Sequence, residues 1–417
     1  MNVSVLANSL VGSEIIKIGN EVNDLKRKGA QISNLTIGDF DPSIFPIPEA
    51  LKEEIVAAYN DHQTNYPPAE GILPLRETVV ELLKARYDLD YTAKEILISA
   101  GSRPLIYSTY LALVDPGDKV VYPAPSWNNN HYCVLSGAVG VAVESSAESN
   151  FMPTAAELKP HLKGATLLAL CSPLNPTGTM FSAAQLLEIC DLVIEENKSR
   201  TADEKPLYVM YDQIYSLLTF GKEHVNPVSL RPELKDYVIY IDGISKALAA
   251  TGVRVGWGFG PDAVVSKMKA ILGHVGAWAP KAEQVAVSKY MSSPEKVDAF
   301  LAAFKAQVQE SLDTLYNGFQ DMKNEGFQVD AIAPMGAIYL TLKIDYIGKT
   351  TPSGELLKDS ADLNFYLIHE AQAALVPFSA FGNDHSMAWF RASVGGCSLN
   401  DIQVMIPRIK AALSKLS

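Results

Sequence analysis

Between Glu95 and Gly260 the chain carries seven short apolar, β-rich runs, and they constrain the fold more than any other feature. They are Glu95–Ser99, Lys119–Tyr122, Val139–Val143, Thr166–Cys171, Leu207–Tyr211, Tyr237–Ile241 and Arg254–Phe259. Several, such as TLLALC, are apolar throughout rather than alternating, as strands covered on both faces are. Helical patterns fill several gaps, for example Pro104–Val114 and Ala183–Glu196. Strands alternating with helices read as an α/β sheet. One gap differs. About a dozen residues, Gly243 and Gly252 among them, separate Ile241 from Arg254. A parallel crossover needs roughly a dozen or more with a helix, so the seventh strand is expected to run antiparallel. The fold expected is therefore α/β, with a mixed, mostly parallel seven-stranded sheet and helices on both faces.

After Gly260 the pattern changes. Val297–Met322 reads as an amphipathic helix of about seven turns. Ile338–Ile344, Ala374–Pro377 and Trp389–Val394 follow as strands, and Asp401–Leu416 as a closing helix. Strands with helices to one side suggest a smaller α+β domain. The N-terminal stretch holds a helix (Ser13–Lys28) and a Pro-rich exit (Asp41–Pro48). The expected division is an N-terminal segment 1–45 packing with the small domain, a large domain 46–296 and a small C-terminal domain 297–417.

Composition narrows the function classes. The 417 residues carry a net charge of −12, which disfavours nucleic-acid binding through a basic face. No apolar run approaches the ~18 residues of a membrane span, and the N-terminus lacks a signal-peptide pattern. Four scattered cysteines without a CxxC pair argue against a disulfide framework or cysteine zinc site and fit a reducing, cytoplasmic setting. Seven histidines, none four residues from another, predict no metal site.

Ligands of open α/β sheets bind beyond the carboxyl ends of the strands. Gly101-Ser102-Arg103 follows the first strand, Pro123–Trp127 the second and Asn175-Pro176-Thr177-Gly178 the fourth. Asp212-Gln213-Ile214-Tyr215 ends the fifth, Ser245-Lys246 follows the sixth, and Arg254 opens the seventh. Each has an ordinary explanation when taken singly. Asn-Pro-Thr-Gly is good turn chemistry, Asp212 suits a helix cap, Lys246 suits solvent and Trp127 suits the core. Their order and common rim argue for a site.

This constellation resembles the fold-type I pyridoxal-phosphate enzymes, specifically the class I/II aminotransferases and their aspartate aminotransferase branch. The resemblance rests on LTIGDFD (35–41), NYPPAEGILPLR (65–76), SPLNPTG (172–178), YDQIY (211–215), GISKALAATGVRVG (243–256) and FRAS (390–393). It implies an aminotransferase using pyridoxal 5'-phosphate in a ping-pong cycle between an amino acid and a 2-oxo acid. Lys246 would form an imine with the cofactor aldehyde and move the proton from the substrate carbon. Asp212 would accept from the ring nitrogen, and Asn175 and Tyr215 would bond the phenolic oxygen. Gly101, Ser102, Ser245 and Arg254 would hold the phosphate, joined by Tyr66 from a neighbouring subunit. Trp127 would stack on the ring. Arg391, helped by the backbone of Gly38, would clamp the substrate carboxylate.

The resemblance further implies a homodimer with a shared site, in which Trp278 and Lys281 serve as partner contributors or as ordinary interface residues. Gln213 replaces a usual glutamate, and Pro377-Phe378 stands where many relatives have Pro-Gly. Arg103 has two readings: it meets a distal carboxylate of an acidic donor, or it pairs with a neighbouring acid or the cofactor phosphate. The alternatives are a β-lyase, decarboxylase or synthase of the same fold, or a non-enzymatic regulator half. The regulator reading needs a preceding helix-turn-helix segment, for which the ~40 residues before the family pattern leave no room.

Overall fold

The computed structural model describes residues 3–10, 12 and 14–417. The large sheet contains β1 (Ile96–Ser99), β2 (Lys119–Ala124), β3 (Val139–Glu144), β4 (Ala165–Cys171), β5 (Tyr208–Asp212), β6 (Val238–Gly243) and β7 (Gly256–Phe259). Their spatial order is β1-β7-β6-β5-β4-β2-β3. Only β7 runs against its neighbours, pairing antiparallel with both β1 and β6. The short Ile241–Arg254 connection explains this, since it returns the chain without a full crossover helix.

The central strands are covered on both faces, which is why they are not amphipathic, whereas the edge strand β3 stays largely exposed. Ile98, Leu168, Val209 and Tyr240 pack on one side with α2 (Leu73–Tyr87) and α4 (Ala183–Ser199). Leu97, Leu167, Met210 and Ile239 pack on the other with α3 (Ser102–Leu113) and α5 (Asp262–Val275). Each fully buried aliphatic side chain of this kind stabilises the fold by ~1.5–3 kcal/mol.

After α6 (Lys281–Met291) the chain enters α7 (Pro294–Asn324), a helix of 31 residues with Pro294 in its first turn. Leu301, Phe304, Val308, Leu312, Leu315 and Phe319 form its buried stripe. From Phe304 onward that stripe packs on a four-stranded antiparallel sheet in the order β10-β11-β9-β8, while Leu301 joins the core of the large sheet. Its strands are β8 (Val329–Ala331), β9 (Tyr339–Ile344), β10 (Val376–Pro377) and β11 (Trp389–Ser393). The stretch expected as one strand over Ala374–Pro377 divides. Ala373–Ala374 pair in parallel with Ser33–Asn34, and only Val376–Pro377 join the small sheet. The N-terminal segment also reaches this region through bonds from Ser393 N to Leu35 O and from Asp41 N to Gly395 O.

Other boundaries moved for physical reasons. The closing helix α8 spans Leu399–Leu413, because Ser398 and Asp401 form a reciprocal capping box that starts it two residues before Asp401. The N-terminal helix α1 runs Glu14–Arg27, and its expected first residue, Ser13, lies outside the described residues. Arg254 does not open β7. It sits two residues earlier in a left-handed turn with φ of 60°.

Candidate active site

β4 and β5 end level, with Cys171 opposite Asp212, and β6 runs two residues past Ile241, which lies opposite Asp212. Over that rim opens a cleft of about 770 Å³ between the two sheets. Lys246 enters it from the one-turn helix Ile244–Ala247 directly after β6. Its Nζ donates to the Gly38 carbonyl at 2.5 Å. Burial pulls the amine down to about 8. Asp39 opposes that shift, while Arg391, Arg103 and Arg254 add to it. Asp39 is itself held by the Thr251 hydroxyl at 2.6 Å.

Asp212 shares its sheet face with Met210, two residues back, and so points into the cleft. Burial pushes its carboxyl up to about 6, against the Ile214 N–H bonded to it at 3.0 Å and the nearby Lys246. A cationic group docked there would lower it again. Behind it, Gln213 donates to the buried Asp242 at 2.9 Å, an arrangement that a glutamate at 213 would replace with paired carboxylates.

One end of the cleft is built for an anion. Gly101, with φ of 82°, caps the N-terminus of α3, and a Cβ there would collide with the Arg254 guanidinium. Arg254 donates to the carbonyls of Thr251 and Ala100, each at 2.7 Å. Ser102 and Ser245 line the same cleft. A helix start with an arginine and two hydroxyls fits a phosphate.

At the opposite wall Arg391 is almost fully buried on β11. Its guanidinium donates to Asn175 Oδ1 at 3.0 Å and to the Thr36 carbonyl, and its Nε has no partner among the described residues. Gly38 lines the same cleft, and its carbonyl receives Lys246. Asn175 holds Arg391 through its oxygen, which leaves its amide NH₂ as a donor.

Arg103 lies 4.5 Å above the centroid of Trp127, so one face of that ring carries a cation. No carboxylate pairs with Arg103 among the described residues, contrary to the neighbouring-acid reading. Tyr66 is not in this chain's cleft. It is 82% exposed and meets Trp278 edge to face at 5.3 Å, while Lys281 donates to Asn65 at 2.7 Å.

Tyr215 is buried and lies 2.6 Å, oxygen to oxygen, from the Tyr339 hydroxyl. Sequence reasoning missed Tyr339, which looks like an ordinary strand residue. It also passed over Asp39, though that residue lies within LTIGDFD, and Ile15, Ile16 and Asn20 of α1, which line the mouth of the cleft. Only a pattern linking distant segments could have found these.

The family described as aminotransferase class I and II matches residues 30–409. A probable aspartate/prephenate aminotransferase from Rickettsia felis is 30% identical, with 100% of this chain and 97% of that protein covered. The crystal structure of the aspartate aminotransferase from Rhizobium meliloti superposes with a TM-score of 0.91 at 28% identity, covering 100% of both chains. An alanine aminotransferase from Pyrococcus furiosus gives 0.86 at 25% identity, with 99% of this chain and 100% of that one covered.

Proposed function

The chain belongs to the class I and II aminotransferases, and we propose that its amino donor is an acidic amino acid and its cofactor pyridoxal 5'-phosphate. One observation carries the reading. In a protein of net charge −12, a single cleft gathers Lys246, Arg103, Arg254 and Arg391, and neither Arg103 nor Arg391 has a carboxylate partner among the described residues. Arg391 is almost fully buried, and burying an unpaired guanidinium is costly, so such a cleft favours anionic ligands. Donors at Gly101, Ser102, Ser245 and Arg254 fit a phosphate, the Asp212 carboxylate fits as acceptor for a pyridinium, and donors at Asn175 and Tyr215 fit a phenolic oxygen. When bound, the cofactor supplies an aldehyde for the amino group and a ring that draws electrons from the substrate carbon.

The chain's own residues do the rest. Lys246, partly neutral near pH 7, holds or releases a proton at Nζ. Arg391 takes the α-carboxylate bidentately. Arg103, free of any acid and steadied by Trp127, would take the distal carboxylate. The name aspartate/prephenate aminotransferase of the Rickettsia felis relative supports an acidic donor, while the alanine enzyme marks the competing outcome. Transaminase names do not favour the lyase, decarboxylase or synthase alternatives.

We also place the protein in the cytoplasm as a homodimer, and keep the division at residues 45 and 296. The exposed Tyr66 supports the dimer, because a large aromatic held outside its own cleft suits a neighbour's phosphate site. The test of donor choice is Arg103→Ala, assayed as half-reactions with a panel of amino acids. Aspartate and glutamate should lose about ten- to a hundredfold in kcat/KM, the range of a charged hydrogen bond, while alanine keeps its rate. Equal losses for all donors would assign Arg103 to the phosphate and remove the acidic preference.

A further inference from the structure

Tyr339 stands on β9 of the small sheet, and Tyr215 follows β5 of the large one. Their hydroxyls meet at 2.6 Å and their rings edge to face at 5.6 Å. The ring of Tyr339 also lies under Arg391, whose guanidinium carbon is 4.7 Å from its centroid. Room for the hydroxyl exists because residue 38 is glycine; a Cβ there would strike it. Phenylalanine would suit the apolar cluster around the ring equally well. The hydroxyl therefore has one visible task, which is to meet Tyr215.

We propose that Tyr339 is a positioning residue that ties the Arg391 carboxylate clamp to the Tyr215 hydroxyl across the two domains. The proposal rests on the cofactor reading above, in which Tyr215 donates to the phenolic oxygen. A hydroxyl that accepts a hydrogen bond becomes a better donor. Either hydroxyl can donate in that pair, and with Tyr215 donating to the phenolic oxygen the donor between them is Tyr339, which strengthens Tyr215's own bond and favours negative charge on its acceptor. An anion on Arg391 offsets positive charge at the face of Tyr339, weakens that donation and reverses the effect. Burial keeps both hydroxyls protonated at neutral pH. The other groups facing the pair are Cys171, Asp39 and Lys246, the last 5.9 Å from the Tyr215 ring.

The test uses the full chain loaded with pyridoxal phosphate and follows the pH at which its visible absorption band titrates, without and with succinate as a non-reacting dicarboxylate. Y339F should move that pH upward by about half a unit to one unit and shrink the succinate-induced shift to less than about half. In a Y215F background the same substitution should have almost no effect. Fluorotyrosine at 339, which keeps the packing and strengthens the donor, should move the titration downward. An unmoved titration in Y339F or fluorotyrosine protein, or an equal shift in both backgrounds, would overturn the proposal alone. Wild-type protein with no such band would overturn the cofactor reading and this proposal with it.

Discussion

An amine attacks an aldehyde only in its neutral form, so the Lys246 value of about 8 sets a pH dependence. Cofactor-free protein should take up pyridoxal phosphate about tenfold more slowly for each unit of pH below 8, with the rate levelling off above it. Stopped-flow absorbance across pH 6–9 checks this; a flat profile would mean another group limits the step. The stability sign follows from the same depression. Between about 8 and 10.5 the unfolded lysine binds more protons than the folded one, so this group's contribution to stability rises with pH there. Asp212 works the other way. Its folded value of about 6 lies above 3.8, so stability falls as pH rises through that window and stays lower at pH 7. Asp212→Asn removes the buried charge while keeping an oxygen for the Ile214 N–H. Cofactor-free D212N should be about 1–3 kcal/mol more stable than wild type at pH 7, with the gain shrinking toward pH 4, yet hold the cofactor poorly. Thermal melts at the two pH values and a cofactor titration measure both. Lys246, Asp212 and Arg391 were legible because each stands in a short motif at a strand end or on a strand. Tyr339 was not, because its signal is a contact between residues 124 positions apart in the chain.

At the scale of elements, the helix start at Gly101 joins backbone geometry to ligand binding. Its φ of 82° is poor for any side chain, and the Arg254 guanidinium fills the space a Cβ needs. Gly101→Ala should cost about 1–3 kcal/mol in stability and weaken pyridoxal phosphate binding about ten- to a hundredfold, by shifting Arg254 away from the phosphate. Fluorescence titration beside a melt separates the two effects; a stability loss with unchanged affinity would show that the cradle tolerates the shift. The antiparallel β7 was legible from a gap too short for a crossover. β8 was not, because a three-residue strand carries almost no periodicity. Ala374–Pro377 reads as one strand in the sequence because pairing partners are invisible locally: Ala373 and Ala374 pair with the N-terminal segment, and Val376 and Pro377 with β11.

At the scale of the whole molecule, Tyr66 is a residue that its own chain's cleft leaves unused. Tyr66 is 82% exposed and meets only Trp278, edge to face. The motif around it was legible, but its place was not, because one chain's sequence says nothing of which surfaces meet. If two copies associate about a two-fold axis, each lends its Tyr66 to the other's phosphate site, and the two sites are equivalent. That geometry makes a prediction independent of any interface map. A Lys246→Ala subunit carries a sound Tyr66 but no reactive amine. A Tyr66→Ala subunit carries a sound Lys246 but lends nothing to its neighbour. In a mixed dimer the site on the Tyr66→Ala subunit regains both groups, whereas the other site lacks both. Random reassociation makes half the dimers mixed, each with one intact site of two, so mixing and refolding the variants should restore about a quarter of wild-type activity at low cofactor concentration. Lys246→Ala alone should give none, and Tyr66→Ala alone little until cofactor is raised. Activity in the mixture no greater than half that of pure Tyr66→Ala would place Tyr66 in its own subunit's service, or in none, and end the shared-site reading.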